Sequence, residues 1–196
     1  MHATQCGNGK EKDMSKFWSN LKDKEETLDA ILTGYKGEVN DMPVYSEVTK
    51  HMQHKGSVLD FGCGAGRNLK YLVNHYDQVY GYDYPNMLKF VSRETLEHKN
   101  LFLLDDLDKV LIRNYDEVLF SLVLQHIHPD EIRSILRELT LHSRKFIIHS
   151  RTWVDFTQED IMPILEEFFT VNMIEYNKDP NSPRDDHFIG VFTPRS

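Results

Sequence analysis

Cysteine is scarce in this chain. Among 196 residues there are two, Cys6 in a polar stretch and Cys63 inside a glycine loop, with neither the number nor the spacing for a disulfide framework or a zinc knuckle. A reducing cytoplasm is the simplest compartment for such a chain. Long apolar runs are also missing: none approaches the roughly 18 residues of a membrane span, and the opening MHATQCGNGKEKD has no apolar core of a signal peptide. The reading is a soluble, unexported protein with no membrane partner. Positive charge is in deficit, with 23 Lys plus Arg against 31 Asp plus Glu, a net charge of −8 and no basic run. A phosphate backbone is poorly matched to that balance, so no nucleic-acid partner is expected. Internal repeats, linkers and low-complexity blocks are absent as well.

What remains is an ordinary globular composition, 40% hydrophobic and 28% charged, in a length that fits one domain. Residues 1–14 are polar and aperiodic and read as a flexible tail. Residues 15–196 form the domain, divided into an N-terminal helical cap (15–56) and a core (57–196). In the cap, Phe17, Leu21, Leu28, Ile31 and Leu32 recur at helical spacing, and Asp41, Pro43, Val44, Val48 and Met52 signal a second helix. From Ser57 the rhythm changes. Short apolar runs (SVLDF, QVYGYD, LFLLD, YDEVLFSLV, KFIIHS) alternate with helical stretches over 68–76, 85–97, 129–141 and 158–167. That alternation predicts an α/β fold with a mostly parallel sheet. Only about one helical turn fits between Asp106 and Tyr115. FFTVNMIEY and HFIGVF, joined by the broken NKDPNSPRDD, predict an antiparallel hairpin at the end of the sheet.

The strongest local signal is SVLDFGCGAGRNLKYL: a buried strand, then Gly62, Gly64 and Gly66, then a helix with Leu69, Leu72 and Val73 inward. Glycines there allow a sharp turn and close approach to a ligand, and free amides at the helix start attract negative charge. Taken alone the triplet is equally a tight strand-to-helix turn. The next strand, however, ends in Asp83, 21 residues after Gly62, where an acid accepts hydrogen bonds from an adenosine ribose. Arg67 stands where dinucleotide-binding loops carry Gly or Ala, which argues against a nicotinamide cofactor.

At these residues the sequence resembles the class I S-adenosylmethionine-dependent methyltransferases. VLDFGCGAGR is similar to their first motif, VYGYDYPNML to the second, LFLLDDL to the third and YDEVLFSLVLQHI to the fourth-strand motif, together spanning roughly 57–150. The resemblance implies a Rossmann-like seven-stranded sheet, mostly parallel with an antiparallel C-terminal hairpin strand beside the fifth, and helices on both faces. It implies S-adenosyl-L-methionine as cofactor. Asp60 would stabilise the loop, Gly62, Cys63 and Gly64 border the methionyl part, Asp83 hold the ribose and Tyr84 face the adenine. Asp106 before Leu107 fits the adenine-contacting acid, with Asp105 the alternative, and Ser121 and Leu122 end the fourth strand near the cofactor's ammonium group.

Ligands of open α/β sheets sit beyond the carboxyl ends of the strands, which nominates Gln125, His126, His149 and Arg151 to face the methyl acceptor. His126 or His149 is a candidate general base, since imidazole titrates near neutrality. Each is equally a pocket-wall histidine without a proton role. Trp18 and Tyr35 are candidates to cap the pocket, or simply core residues, and Arg184, Asp185 and Asp186 overhang it or form a solvated hairpin tip. His126, His128 and Asp130 lack further ligands, so no metal is assigned. His51 and His54 read as solvent-facing.

LVLQHI replaces the proline-containing motif of enzymes that methylate base or glutamine amino groups, and no large insertion grips a macromolecule. A small-molecule acceptor with an oxygen or nitrogen nucleophile is therefore expected, the oligomeric state being open. Two alternatives stand beside this enzyme: a non-catalytic S-adenosylmethionine-binding regulatory module and a nicotinamide-dependent oxidoreductase.

Overall fold

Each apolar run becomes a strand: β1 (Ser57–Phe61), β2 (Gln78–Tyr82), β3 (Leu101–Leu104), β4 (Tyr115–Ser121), β5 (Ser143–Arg151), β6 (Phe169–Asn177) and β7 (His187–Pro194). They form one seven-stranded sheet in the order β3-β2-β1-β4-β5-β7-β6. This computed structural model describes residues 44–151, 158–177 and 187–195. The tail at 1–14, the helix through Phe17 to Leu32, Trp18, Tyr35 and the hairpin-tip residues Arg184, Asp185 and Asp186 lie outside the described residues.

The first five strands pair in parallel, and β7 lies antiparallel between β5 and β6. The expected hairpin is therefore present, with β7 against β5. β6 is an edge strand, largely exposed and broken in register between Val171 and Met173, an irregularity that discourages pairing with a further chain. The order reverses at β1, whose neighbours are β2 and β4, so the chain leaves these strands in opposite directions and opens a crevice beyond their carboxyl ends.

Because strand side chains alternate, both faces of the sheet are apolar and both are covered. On one face Leu59, Phe61, Val118, Phe120, Phe146 and Ile148 pack with α5 (Leu107–Leu111), α6 (Pro129–His142) and α7 (Gln158–Phe168). On the other, Val58, Leu119, Ile147 and Ile189 pack with Val48 of α1 (Ser46–Thr49), with Met52, and with Leu69 and Leu72 of α2 (Leu69–Leu72). Helices thus flank both faces, and Val48 and Met52 share one face as their spacing predicts.

Two helical stretches are shorter than the sequence suggests. The run over 68–76 keeps regular helix only through α2, and the run over 85–97 splits into α3 (Pro85–Leu88) and α4 (Arg93–Leu96). The break has a local cause: Ser92 caps the second piece by accepting the Thr95 N–H at 3.2 Å, a side-chain bond that competes with helix continuation. The brief crossover before β4 is the single-turn helix α5, as the spacing requires.

At the amino end of the strands, far from the crevice, Glu117 of β4 is fully buried. Its carboxylate accepts the Tyr76 hydroxyl and the Gln53 N–H (2.9 Å) and pairs with Lys145 Nζ at 2.7 Å. Lys145 also donates to the His51 carbonyl, so residues 51–53 are pinned to the sheet. His51 is not solvent-facing as expected: its side chain is 15% exposed and Nε2 lies 3.5 Å from Glu175.

Candidate functional site

The glycine loop leaves β1 at the point of reversal. Its first amides are anchored, Gly62 N–H and Cys63 N–H both donating to the Tyr82 carbonyl of β2 at 2.8 and 3.0 Å. Gly62 has φ +74° and lies so close to the β4 exit that a Cβ there would stand 2.4 Å from Val123 Cγ2. Only glycine satisfies both conditions. Gly64, at φ +56°, is the opposite case: a Cβ there would meet nothing within 4 Å, so its backbone borders open space.

Two carboxylates flank this opening. Asp60, the penultimate residue of β1, is wholly buried; Asn68 Nδ2 donates to its Oδ1 at 3.3 Å, and Oδ2 has no hydrogen-bond partner among the described residues. Burial pushes its carboxyl up to about 7, Asn68 opposing and the charge of Asp83 adding. Asp83, just past β2, accepts the Gly64 N–H at 2.7 Å through Oδ2 and the Tyr84 N–H at 2.7 Å through Oδ1. Desolvation raises it to about 6 against the pull of those two amides. Each oxygen keeps a lone pair for a further donor. Cys63 is buried between them, and burial together with both acids pushes its thiol well up, so it is an inert wall rather than a nucleophile.

Beyond β4 the chain makes a second unusual turn. Leu122 has φ +60°, a left-handed conformation that is unfavourable for a branched side chain, and its N–H donates to the His149 carbonyl at 2.7 Å. Ser121 Oγ lies 3.3 Å from His149 Nδ1 on the adjacent strand. Gln125, in the 3-10 turn Leu124–His126, is buried; its Oε1 accepts the Arg151 N–H at 2.8 Å and the Ser150 hydroxyl at 3.3 Å, and its Nε2 is 3.2 Å from His126 Nε2. The β4 exit is thereby clasped to the end of β5, with half-buried His126 at its rim.

His149 is 1% exposed. Its ring meets Tyr45 edge-on at 4.6 Å and His187 at 4.9 Å, and Nε2 has no hydrogen-bond partner among the described residues. Burial first, then the charges of His187, Arg67 and Arg151, lower its basicity to about 3, so the imidazole is neutral at physiological pH. Arg67 lies over the Tyr45 ring at 5.3 Å to the centroid.

Past β2, Tyr84 is the half-buried N-cap residue of α3. Asp106 caps α5 by accepting the Asp108 N–H at 3.0 Å and sits 3.5 Å from Lys109 Nζ, while Asp105 is exposed and Leu107 begins the helix. The carboxylate of Asp106 thus has a capping duty, and Asp105 is the one turned outward. His128 is the cap of α6, its Nδ1 accepting the Asp130 N–H at 3.3 Å. Among the described residues no group of three or more His, Cys, Asp or Glu is placed to hold a metal, and no helix is long and apolar enough to cross a membrane.

Sequence reasoning passed over Tyr45, His187 and a site role for Arg67. His187 had a signal: it opens a strand that pairs with β5, and the register sets it opposite Arg151. Tyr45 and Arg67 had none, since their meeting depends on how residues 44–52 fold back over the sheet.

Glycine loop, acid after the second strand and reversed strand order together define a Rossmann-like site for an adenosine ligand. Residues 58–145 match the family model described as a methyltransferase domain. The solved structure of magnesium protoporphyrin IX methyltransferase from Synechocystis PCC 6803 with bound SAM is similar in fold, with TM-score 0.65, 18% identity, and 98% of this chain and 100% of that one covered. N-methyltransferase NodS from Bradyrhizobium japonicum WM9, in complex with S-adenosyl-L-homocysteine, gives TM-score 0.62, 16% identity, and 72% and 79% coverage. No curated protein matches the sequence. Residues 58–145 are thus similar to a methyltransferase domain, on a fold shared with solved methyltransferases that hold S-adenosylmethionine or S-adenosylhomocysteine.

Proposed function

We propose that the protein methylates the oxygen or nitrogen of a small molecule at the crevice between the β1 and β4 exits. The observation that carries this reading is the pairing, among the described residues, of an uncrowded glycine backbone at Gly64 with a buried carboxylate oxygen on Asp60 that has no hydrogen-bond partner. Those features fit S-adenosylmethionine: a free anionic oxygen suits its ammonium group, and uncrowded backbone suits its methionyl arm. Asp83 would take the ribose hydroxyls on its remaining lone pairs, Tyr84 and Asp105 would border the adenine, and Ser121 and Leu122 would line the ammonium end. Bound there, the cofactor supplies a methyl group on a positively charged sulfur.

The chain's own contribution is placement. Held by the glycine loop, Asp60 and Asp83, the cofactor would offer that methyl carbon to the acceptor's lone pair, and the departing sulfur would keep the bonding pair. Holding the reacting atom about 3 to 3.5 Å away and in line supplies much of the acceleration. His126, half-buried at the rim, is the residue to receive the acceptor's proton. His149 is read as a fixed neutral wall, and Gln125 as the residue that positions Arg151. A small acceptor is supported by the described chain offering no extended basic surface. The magnesium protoporphyrin IX named for a neighbour of the same fold is also a small molecule. A cytoplasmic location and one domain over 15–196 complete the reading.

The test is direct. Calorimetry with S-adenosylmethionine should give saturable binding, and metabolite extracts incubated with deuterated-methyl cofactor should yield a labelled small molecule. Binding without any labelled product would favour a regulatory module; tighter binding of NAD would overturn the cofactor assignment.

A further inference from the structure

Resting on the methyltransferase reading, we propose that the acceptor carries a carboxylate group and that Arg67 and Arg151 receive it above the His149 ring. The strand register places the relevant side chains on one face. Asp60 of β1, Ser121 of β4, and His149 and Arg151 of β5 alternate in phase with Val58, Leu119 and Ile147, which pack on the α1 and α2 side of the sheet. His187 lies opposite Arg151 in the β5–β7 ladder, on the same face. Tyr45 and Arg67 come down over this row, Arg67 on the Tyr45 ring at 5.3 Å and Tyr45 against His149 at 4.6 Å.

Acids stand at one end of that row and Arg151 at the other, with Arg67 near enough to Asp60 to oppose the rise of its carboxyl. The acids, Asp60 and Asp83, stand at the β1 and β2 exits where the cofactor's cationic sulfur and ammonium belong. The guanidiniums stand at the β5 end and in the turn that leads into α2, in a chain whose net charge is −8. Both approach the His149 ring, since Arg67 stands over Tyr45, which meets that ring edge-on, and Arg151 follows His149 by two residues on the same face of β5. The Arg151 backbone is fixed there by Gln125 Oε1 at 2.8 Å. His149 itself is 1% exposed, with Nε2 unpartnered among the described residues, a polar atom suited to a ligand hydrogen bond. Two guanidiniums, each with a planar fork of donors, match a carboxylate far better than a neutral or cationic group. Such an acceptor would be anchored by its anion at β5, with its nucleophile turned toward the β1–β4 crevice.

The experiment uses the full chain saturated with S-adenosylhomocysteine and titrates benzoate, benzamide and phenyl phosphate by calorimetry. Benzoate should bind saturably and at least ten-fold more tightly than benzamide or phenyl phosphate. R151Q and R67Q should each reduce the benzoate-over-benzamide ratio by ten-fold or more, R151K should restore part of it, and S-adenosylhomocysteine affinity in R151Q should change less than two-fold. Equal binding of acid and amide, an unchanged ratio in both Gln variants, or preference for phenyl phosphate would overturn the carboxylate assignment. Failure of S-adenosylhomocysteine to bind would instead sink the underlying methyltransferase reading, so the two failures are distinguishable.

Discussion

The carboxylate of Asp83 holds the backbone N–H of Gly64 at 2.7 Å, tying the acid after the second strand to the glycine loop after the first. Asp83 therefore shapes the loop, and in the proposed site it would also receive the ribose. Asp83→Ala should weaken S-adenosylmethionine binding by about 1–3 kcal/mol, roughly five- to 150-fold in Kd, by leaving hydrogen-bonding groups unpaired. Its carboxyl is raised to about 6, so the ionised acceptor is lost as pH falls through that value. Calorimetry from pH 8 to pH 5 should show wild-type affinity falling below pH 7 as Asp60 is protonated and more steeply below pH 6, the Ala variant keeping only the Asp60 part of the fall.

Asp60 makes a sharper separation between fold and function. Its folded carboxyl titrates near 7 against an ordinary 3.8, so ionisation opposes folding. Stability from this group rises as pH falls through 7 toward 4, by up to about 1.4 kcal/mol per pH unit. Asp60→Asn removes that slope and should leave the melting temperature at pH 8 equal to wild type or higher. S-adenosylmethionine affinity should fall ten-fold or more, because the free Oδ2 is no longer anionic. Melting curves at pH 6, 7 and 8 with parallel titrations check both halves; a variant that binds normally removes Asp60 from the cofactor site.

Much of this was legible before any coordinates. The strands announced themselves because runs such as SVLDF are buried on both faces, and the glycine loop and Asp83 because close backbone approach and ribose recognition demand particular residue types at particular intervals. The third crossover and the β7 hairpin followed from lengths alone. The helix ends did not, since Ser92 breaks its helix through a side-chain bond that periodicity does not reveal. Nor did the wall around His149. Tyr45, Arg67 and His187 are 22 to 142 residues apart from one another and meet only through sheet register and the return of residues 44–52. Burial, which decides the protonation of His149, likewise belongs to the assembled structure.

His149 follows from that burial. Its imidazole, lowered to about 3 from 6.5, takes up fewer protons folded than unfolded, so its presence removes stability progressively as pH falls from 6.5 toward 3. Nitrogen-15 NMR should find a neutral ring at pH 5, where a solvent-exposed histidine is charged. His149→Gln should abolish this acid-side loss while leaving S-adenosylmethionine affinity within about two-fold; for comparison, each ten-fold in affinity is about 1.4 kcal/mol. A charged His149 at pH 5 would overturn the neutral-wall role and restore it as a proton acceptor.

The two glycines of the loop give the most discriminating pair of variants. Gly62→Ala places a Cβ 2.4 Å from Val123 Cγ2 in a left-handed backbone, so the β4 exit must move. Backbone strain of about 1–2 kcal/mol adds to an overpacking penalty of about 1–3 kcal/mol, and the melting temperature should fall by roughly 4–20 °C for a chain of this size. Gly64→Ala carries the same backbone strain but its Cβ meets no atom within 4 Å, so its melting temperature should fall only by a few degrees, about 2–8 °C. The methyl instead projects into the crevice assigned to the cofactor's methionyl arm, and S-adenosylmethionine binding should drop at least ten-fold in a protein that remains folded. Calorimetry and thermal melts on the two proteins separate the outcomes: a Gly64→Ala protein with unaltered affinity would show that the open space beside Gly64 is not where the cofactor lies.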